Sequence, residues 1–167
     1  NTFYRGADSE DDYGSNRGVE SSLNNLLAEA GLWGMNELTA LSADIGVMNA
    51  GGVRADLEAG PVSFADAYLV QPFGNTYGVV DITGAQFKEA LEQQWKDPAG
   101  ERPRLALGLS DNVQYSFDET RAEGDRITHV TVNGAPIDLD ATYRVAGASF
   151  LLAGGDGFSA LAAGSEM

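Results

Sequence analysis

A chain of 167 residues is long enough to bury a hydrophobic core and short enough for one domain. Its 25 acidic and 10 basic residues leave a net charge of −15, which sets aside a nucleic-acid polymer or an anionic membrane surface as a partner, since both demand many Lys and Arg. The absence of cysteine excludes disulfides, thiolate metal sites and cysteine nucleophiles, and no apolar run reaches transmembrane length.

Residues 1–18 hold Asp8, Glu10, Asp11 and Asp12 among several glycines and read as an irregular acidic opening segment. The polar start lacks the basic and apolar regions of a secretory leader. The structured part, residues 19–167, opens with Leu23, Leu26, Leu27 and Ala30 at helical spacing, which predicts an amphipathic helix from Glu20 to Ala30 with Gly31 as its stop. Ile45 to Met48 reads as a buried strand closed by Asn49 and two glycines. Ser63 with Asp66 forms a capping-box pattern for a short helix, Phe64 to Val70, ending before Pro72.

Tyr77 to Ile82 reads as a strand, and Thr83 caps a helix from Ala85 to Trp95 with Phe87, Leu91 and Trp95 on one face. After a Pro- and Gly-containing loop near Asp97 to Pro103, strands are expected at Val113 to Phe117, Ile127 to Val132 and Tyr143 to Ala146. The Asn133-Gly134 pair is a strong hairpin signal. With no internal repeat, the mixture points to a single α+β domain of mixed sheets with flanking helices.

Three segments carry recognition chemistry. Asn49-Ala50-Gly51-Gly52-Val53-Arg54 joins a close-approach turn to an amide and a guanidinium fork, although alone it also suits a strand-to-loop turn with a solvated arginine. Gln71-Pro72-Phe73-Gly74-Asn75-Thr76 displays an aromatic ring either as a stacking platform or, the first reading for a lone loop phenylalanine, as a plug beneath a turn. Ser149-Phe150-Leu151-Leu152-Ala153-Gly154-Gly155-Asp156-Gly157-Phe158 presents one carboxylate that can accept from a diol, or is ordinary turn chemistry.

In this order, together with Glu20-Ser21-Ser22-Leu23-Asn24-Asn25-Leu26 and Val80-Asp81-Ile82-Thr83-Gly84, the segments resemble the C-terminal domain of the 5'-nucleotidase and UDP-sugar hydrolase family of two-domain metallophosphoesterases. The resemblance runs from about Arg17 to Phe158. It implies that Phe73 and Phe150 sandwich a nucleobase and that Asp156 binds the ribose hydroxyls. It further implies that Asn49 and Arg54 contact the base and the sugar-phosphate side, with the Gly51-Gly52 turn among them, and that Arg17 helps hold phosphate. Asn24 departs from a common family glycine.

By the same resemblance, catalysis belongs to a separate N-terminal metallophosphoesterase domain absent from this chain, where two divalent metals activate water. No catalytic residue, metal ligand or cofactor is assigned here. The single histidine, His129, reads as a partly exposed strand residue, Asp11 and Asp12 as solvated charge, and neither a serine elbow nor a phosphate loop is present. The expected role is therefore substrate recognition in a nucleotide hydrolase, with an extracellular, periplasmic or cell-wall location. Service to a UDP-sugar hydrolase or a 2',3'-cyclic phosphodiesterase, or as a stand-alone nucleoside-binding or surface-interaction module, remains open at this point.

Overall fold

The computed structural model describes residues 1–6 and 17–166, and the acidic residues Asp8, Glu10, Asp11 and Asp12 lie outside them. Five helices and eight strands follow in chain order: α1 (Ser22–Leu38), β1 (Ile45–Met48), α2 (Phe64–Val70), β2 (Tyr77–Thr83), α3 (Gly84–Glu92), β3 (Gly108–Leu109), β4 (Val113–Phe117), β5 (Ile127–Val132), β6 (Ala135–Pro136), β7 (Thr142–Ala148), α4 (Ser149–Leu152), α5 (Ser159–Ala162) and β8 (Ser165–Glu166). Short 3-10 turns at Ala50–Gly52 and Gly155–Gly157 complete it.

The strands form a five-stranded sheet in the order β3-β1-β7-β2-β8 and a three-stranded sheet in the order β4-β5-β6. In the larger sheet β1 and β7 run parallel, while β3, β2 and β8 are antiparallel to their neighbours. This is the expected α+β arrangement of mixed sheets with flanking helices. The main core joins Ile45, Val80, Ile82 and Val145 of the large sheet to Phe87 and Leu91 of α3, Ile127 and Val130 of β5, and Phe158. A smaller apolar cluster of Leu23, Ala28, Met48, Val53 and Val70 lies under the loops that follow β1 and α2.

Local signals set most helix starts. The Ser21 hydroxyl accepts from the Asn24 N–H at 3.1 Å, and Ser63/Asp66 and Thr83/Gln86 each close a full capping box. The Asn133-Gly134 pair adopts φ of 53° and 77° and joins β5 to β6. Of the opening segment, Phe3 bridges Leu57 and the Tyr4 carbonyl accepts from the Leu23 N–H at 3.1 Å, so residues 1–6 dock beside the start of α1.

Two expected boundaries move. Helix α1 does not stop at Gly31 but continues through Gly34 to Leu38. Gly31 serves close packing instead, because a Cβ there would lie 2.7 Å from Cε1 of Tyr77. Helix α3 ends at Glu92, and Trp95 leaves it to bridge Arg104. The two α1 glycines give a test. Gly34→Ala, with nothing within 4 Å of the new methyl, is expected to stabilise the fold by about 0.5–1 kcal/mol in urea melts. Gly31→Ala should yield no such gain, and equal stabilisation by both would contradict the packing role.

Candidate functional site

The sheet brings the three recognition segments to one edge. Because β1 and β7 are parallel neighbours, their C-terminal ends lie side by side, so Asn49 after β1 meets Ser149 and Phe150 after β7. Strand β2 is antiparallel to β7, with Tyr77 opposite Ala148, which delivers the preceding Phe73–Thr76 loop to the same edge. The Ser149 N–H donates to the Thr76 carbonyl at 2.8 Å and ties the two loops together.

A cavity of about 220 Å3 at this edge is lined by Arg17, Asn49, Gly51, Gly52, Phe73, Asn75, Phe150 and Asp156. The Phe73 and Phe150 rings, separated by nearly half the chain, both border it and are 48% and 47% exposed. Phe73 is therefore no plug beneath a turn. Half-exposed aromatic faces on a cavity are surfaces on which a flat ligand can stack.

Asp156 is held from two sides. Asn49 Nδ2 donates to Asp156 Oδ2 at 2.8 Å, joining residues 107 positions apart. Asp156 itself is left-handed, at φ 56°, between the left-handed Gly154 and Gly157, a conformation that Asp tolerates better than bulkier residues. Gly155 permits the Phe150 ring to lie directly on the loop backbone, since a Cβ there would sit 2.5 Å from the ring. The tight loop thus fixes ring and carboxylate relative to each other.

On the opposite wall, a Cβ on Gly51 would stand 3.1 Å from Arg17 Nη1, 3.5 Å from Asp156 Oδ2 and 3.6 Å from Asn49 Nδ2. Three polar groups converge beside Gly51, and only the Arg17 guanidinium would have to give way to a Cβ there. Gly52 closes the turn by donating its N–H to the Asn49 carbonyl at 2.9 Å. The Arg17 guanidinium is lowered from its ordinary pKa, first by burial and then by repulsion from Arg102 and Arg54, with Asp156 opposing the shift. A cation crowded by other cations is a favourable seat for an anion.

Seven of the eight residues singled out in the sequence line the cavity. Arg54 does not; its N–H donates to the Val70 carbonyl and its side chain is exposed, close enough to Arg17 for their charges to interact. Asn75, the last residue of Pro-Phe-Gly-Asn and one to which the sequence analysis gives no role, also lines the cavity. Arg102, from the loop before β3, joins the arginine group with no sequence pattern to announce it. Asn24 is buried against Gly108, away from the cavity. His129 is exposed on β5, opposite Ser116, and among the described residues no three His, Asp or Glu form a group that could hold a metal.

A larger cavity, about 530 Å3, lies between β3, β4 and the start of α1. Its one cation, Arg104, already lies over the Trp95 and Phe117 rings, with ring centroids at 4.7 and 4.3 Å, and is bonded to Glu119. No residue of the three recognition segments reaches it. Size alone favours that cavity; convergent rings, carboxylate and guanidinium favour the smaller one.

Comparison with known proteins agrees with the geometry. Over 151 residues the chain is 38% identical to the trifunctional nucleotide phosphoesterase protein YfkN of Bacillus subtilis, covering 86% of this chain and 10% of that one. It is 34% identical over 154 residues to the cell wall protein Lmo0130 of Listeria monocytogenes, covering 84% of this chain and 18% of that one. The fold superposes on the 5'-nucleotidase precursor of Thermus thermophilus with a TM-score of 0.76 at 36% identity, over 91% of this chain and 31% of that one. The chain thus spans less than a third of the length of each. No helix among the described residues is long and apolar enough to cross a membrane. Residues 6–163 match the family model described as the 5'-nucleotidase C-terminal domain, and the chain belongs to that family.

Proposed function

We propose that this domain is the substrate-recognition part of a 5'-nucleotidase-type phosphohydrolase, gripping the nucleoside of a nucleotide while an N-terminal metallophosphoesterase domain of the same protein cleaves the phosphate ester. The observation that carries this reading is the convergence of Phe73, Phe150, Asn49 and Asp156 on one cavity. At about 220 Å3 it is smaller than the ~300–1,000 Å3 of a complete ligand pocket, which suits a site that holds one part of its ligand and leaves the reacting part outside.

In this reading the two rings stack on the base, each face contributing ~1–3 kcal/mol with little preference among bases. The Asp156 carboxylate accepts from the ribose diol, and Asn49 keeps it aimed by donating to Oδ2. Arg17, with Arg54 and Arg102 nearby, draws the phosphate against the net charge of −15. Divalent metals in the partner domain would activate water and neutralise the phosphate charge, and closure of that domain over the cavity would unite the two halves. The 167-residue chain alone is expected to bind nucleosides and hydrolyse nothing. A cell-wall, extracellular or periplasmic location is supported by the Listeria relative.

Asp156→Ala tests the assignment. Adenosine and AMP should each lose ~1.5–3 kcal/mol of binding free energy by calorimetry, the value of hydrogen bonds to a charged group, while free adenine is held as before. Undiminished adenosine binding by the variant would sink the diol assignment.

A further inference from the structure

Beside Gly157, outside the residues that line the cavity, stands a cation to which the nucleoside reading gives no task. Lys96 lies at the root of the loop between α3 and β3. There its N–H donates to the Pro103 carbonyl at 2.7 Å, and the Leu105 N–H donates to the Gln94 carbonyl at 2.8 Å, so its backbone is fixed. The side chain crosses to the Asp156 loop, placing Nζ 4.1 Å from the centroid of the buried Phe158 ring. It also lies 3.3 Å from where a Cβ on Gly157 would be, next to Asp156.

Lys96 is half-buried, yet among the described residues no carboxylate lies within 4.0 Å of its ammonium. Of the ten Lys and Arg, Arg5, Arg104, Arg121 and Arg144 have such a partner among the described residues. Among the described residues the Lys96 ammonium rests on the Phe158 ring face and donates to no protein acceptor. Burial lowers its pKa from the ordinary lysine value and the charge of Asp156 opposes that shift.

We propose that Lys96 is an anion contact of the nucleotide site, taking a phosphate ester carried on the 2' or 3' oxygen of the ribose. The inference rests on the nucleoside reading, in which Asp156 faces those two oxygens. A phosphate on that edge arrives beside a carboxylate and is repelled unless a cation offsets both. Lys96 is placed to do so from the Gly157 side, while Arg17 stands on the Gly51 side. The two cations therefore serve different ends of the sugar, and a flexible ammonium can leave the ring for a phosphate oxygen without moving its backbone.

Calorimetry on the 167-residue chain and its Lys96→Gln and Lys96→Arg variants, with adenosine, 5'-AMP, 2'-AMP and 3'-AMP, tests this. Lys96→Gln should weaken 2'-AMP or 3'-AMP about tenfold, the loss of one charged hydrogen bond, and leave adenosine and 5'-AMP within about twofold. Lys96→Arg should restore most of the loss, and the isomer affected identifies the oxygen. An equal loss for adenosine would mean that Lys96 only steadies the Asp156 loop, and no loss for either isomer would remove it from the site; both overturn the proposal. If the unaltered chain binds adenosine and 5'-AMP but neither isomer, the Lys96 assignment alone falls. If it binds none of the four, the nucleoside reading falls and takes this inference with it.

Discussion

Alanine at both Phe73 and Phe150 is expected to lower the affinity for adenosine, guanosine and uridine alike, by about 2–6 kcal/mol for the two stacking faces together. The physical reason is that a π-face meets every base, so the loss falls on all of them and leaves their ranking unchanged. Each ring is about half exposed, so little core packing is lost and the melting temperature should stay within a few degrees of the original. Calorimetric titration with the three nucleosides and a thermal melt of the same sample check both halves. If affinity falls only for purines, the two rings do not act as a sandwich. If the protein melts much earlier, the rings are structural after all.

The second large effect belongs to Phe158, one residue beyond the Gly-Gly-Asp-Gly loop. Its ring is fully buried in the main core and carries Lys96 on one face. Phe158→Ala removes a large side chain from close-packed surroundings and should destabilise the domain by about 3–5 kcal/mol, measured by urea denaturation. Because the same residue anchors the loop that presents Asp156, nucleoside affinity should fall along with stability, whereas Phe73→Ala changes affinity alone. Phe158→Leu, which refills part of the volume, should recover much of the stability. A Phe158→Ala protein as stable as the original would show that the cavity collapses and that the ring is not the loop's anchor.

The contrast between these two phenylalanines marks where sequence stops and structure begins. Each stands next to one glycine, Phe73 before Gly74 and Phe158 after Gly157, yet Phe73 stands open on the cavity and Phe158 is sealed in the core. Which one is which depends on the strands each loop joins. Phe73 precedes β2, whose first residue pairs with the last of β7, and so it lands at the site edge. Gly31 and Gly34 repeat the lesson within one helix, since only the distant Tyr77 distinguishes them.

Signals that act over a few residues were legible from sequence: Ser63 with Asp66, Thr83 as a helix cap, Asn133 with Gly134, and the apolar run Ile45–Met48. Capping and turn chemistry depend on neighbours three residues away or closer, and a sequence displays those directly. The ordered recognition segments also carry the family resemblance, and the sequence candidates include every residue that lines the cavity except Asn75. What only the tertiary structure decided is which charges meet. The Asn49–Asp156 bond spans 107 positions, Arg54 stays outside the cavity while Asn75 enters it, and Lys96 comes beside Gly157 from a loop that is turned back at Pro103. Strand pairing sets these encounters, and pairing depends on residues far apart along the chain, so no local pattern around Lys96 could have announced its neighbours.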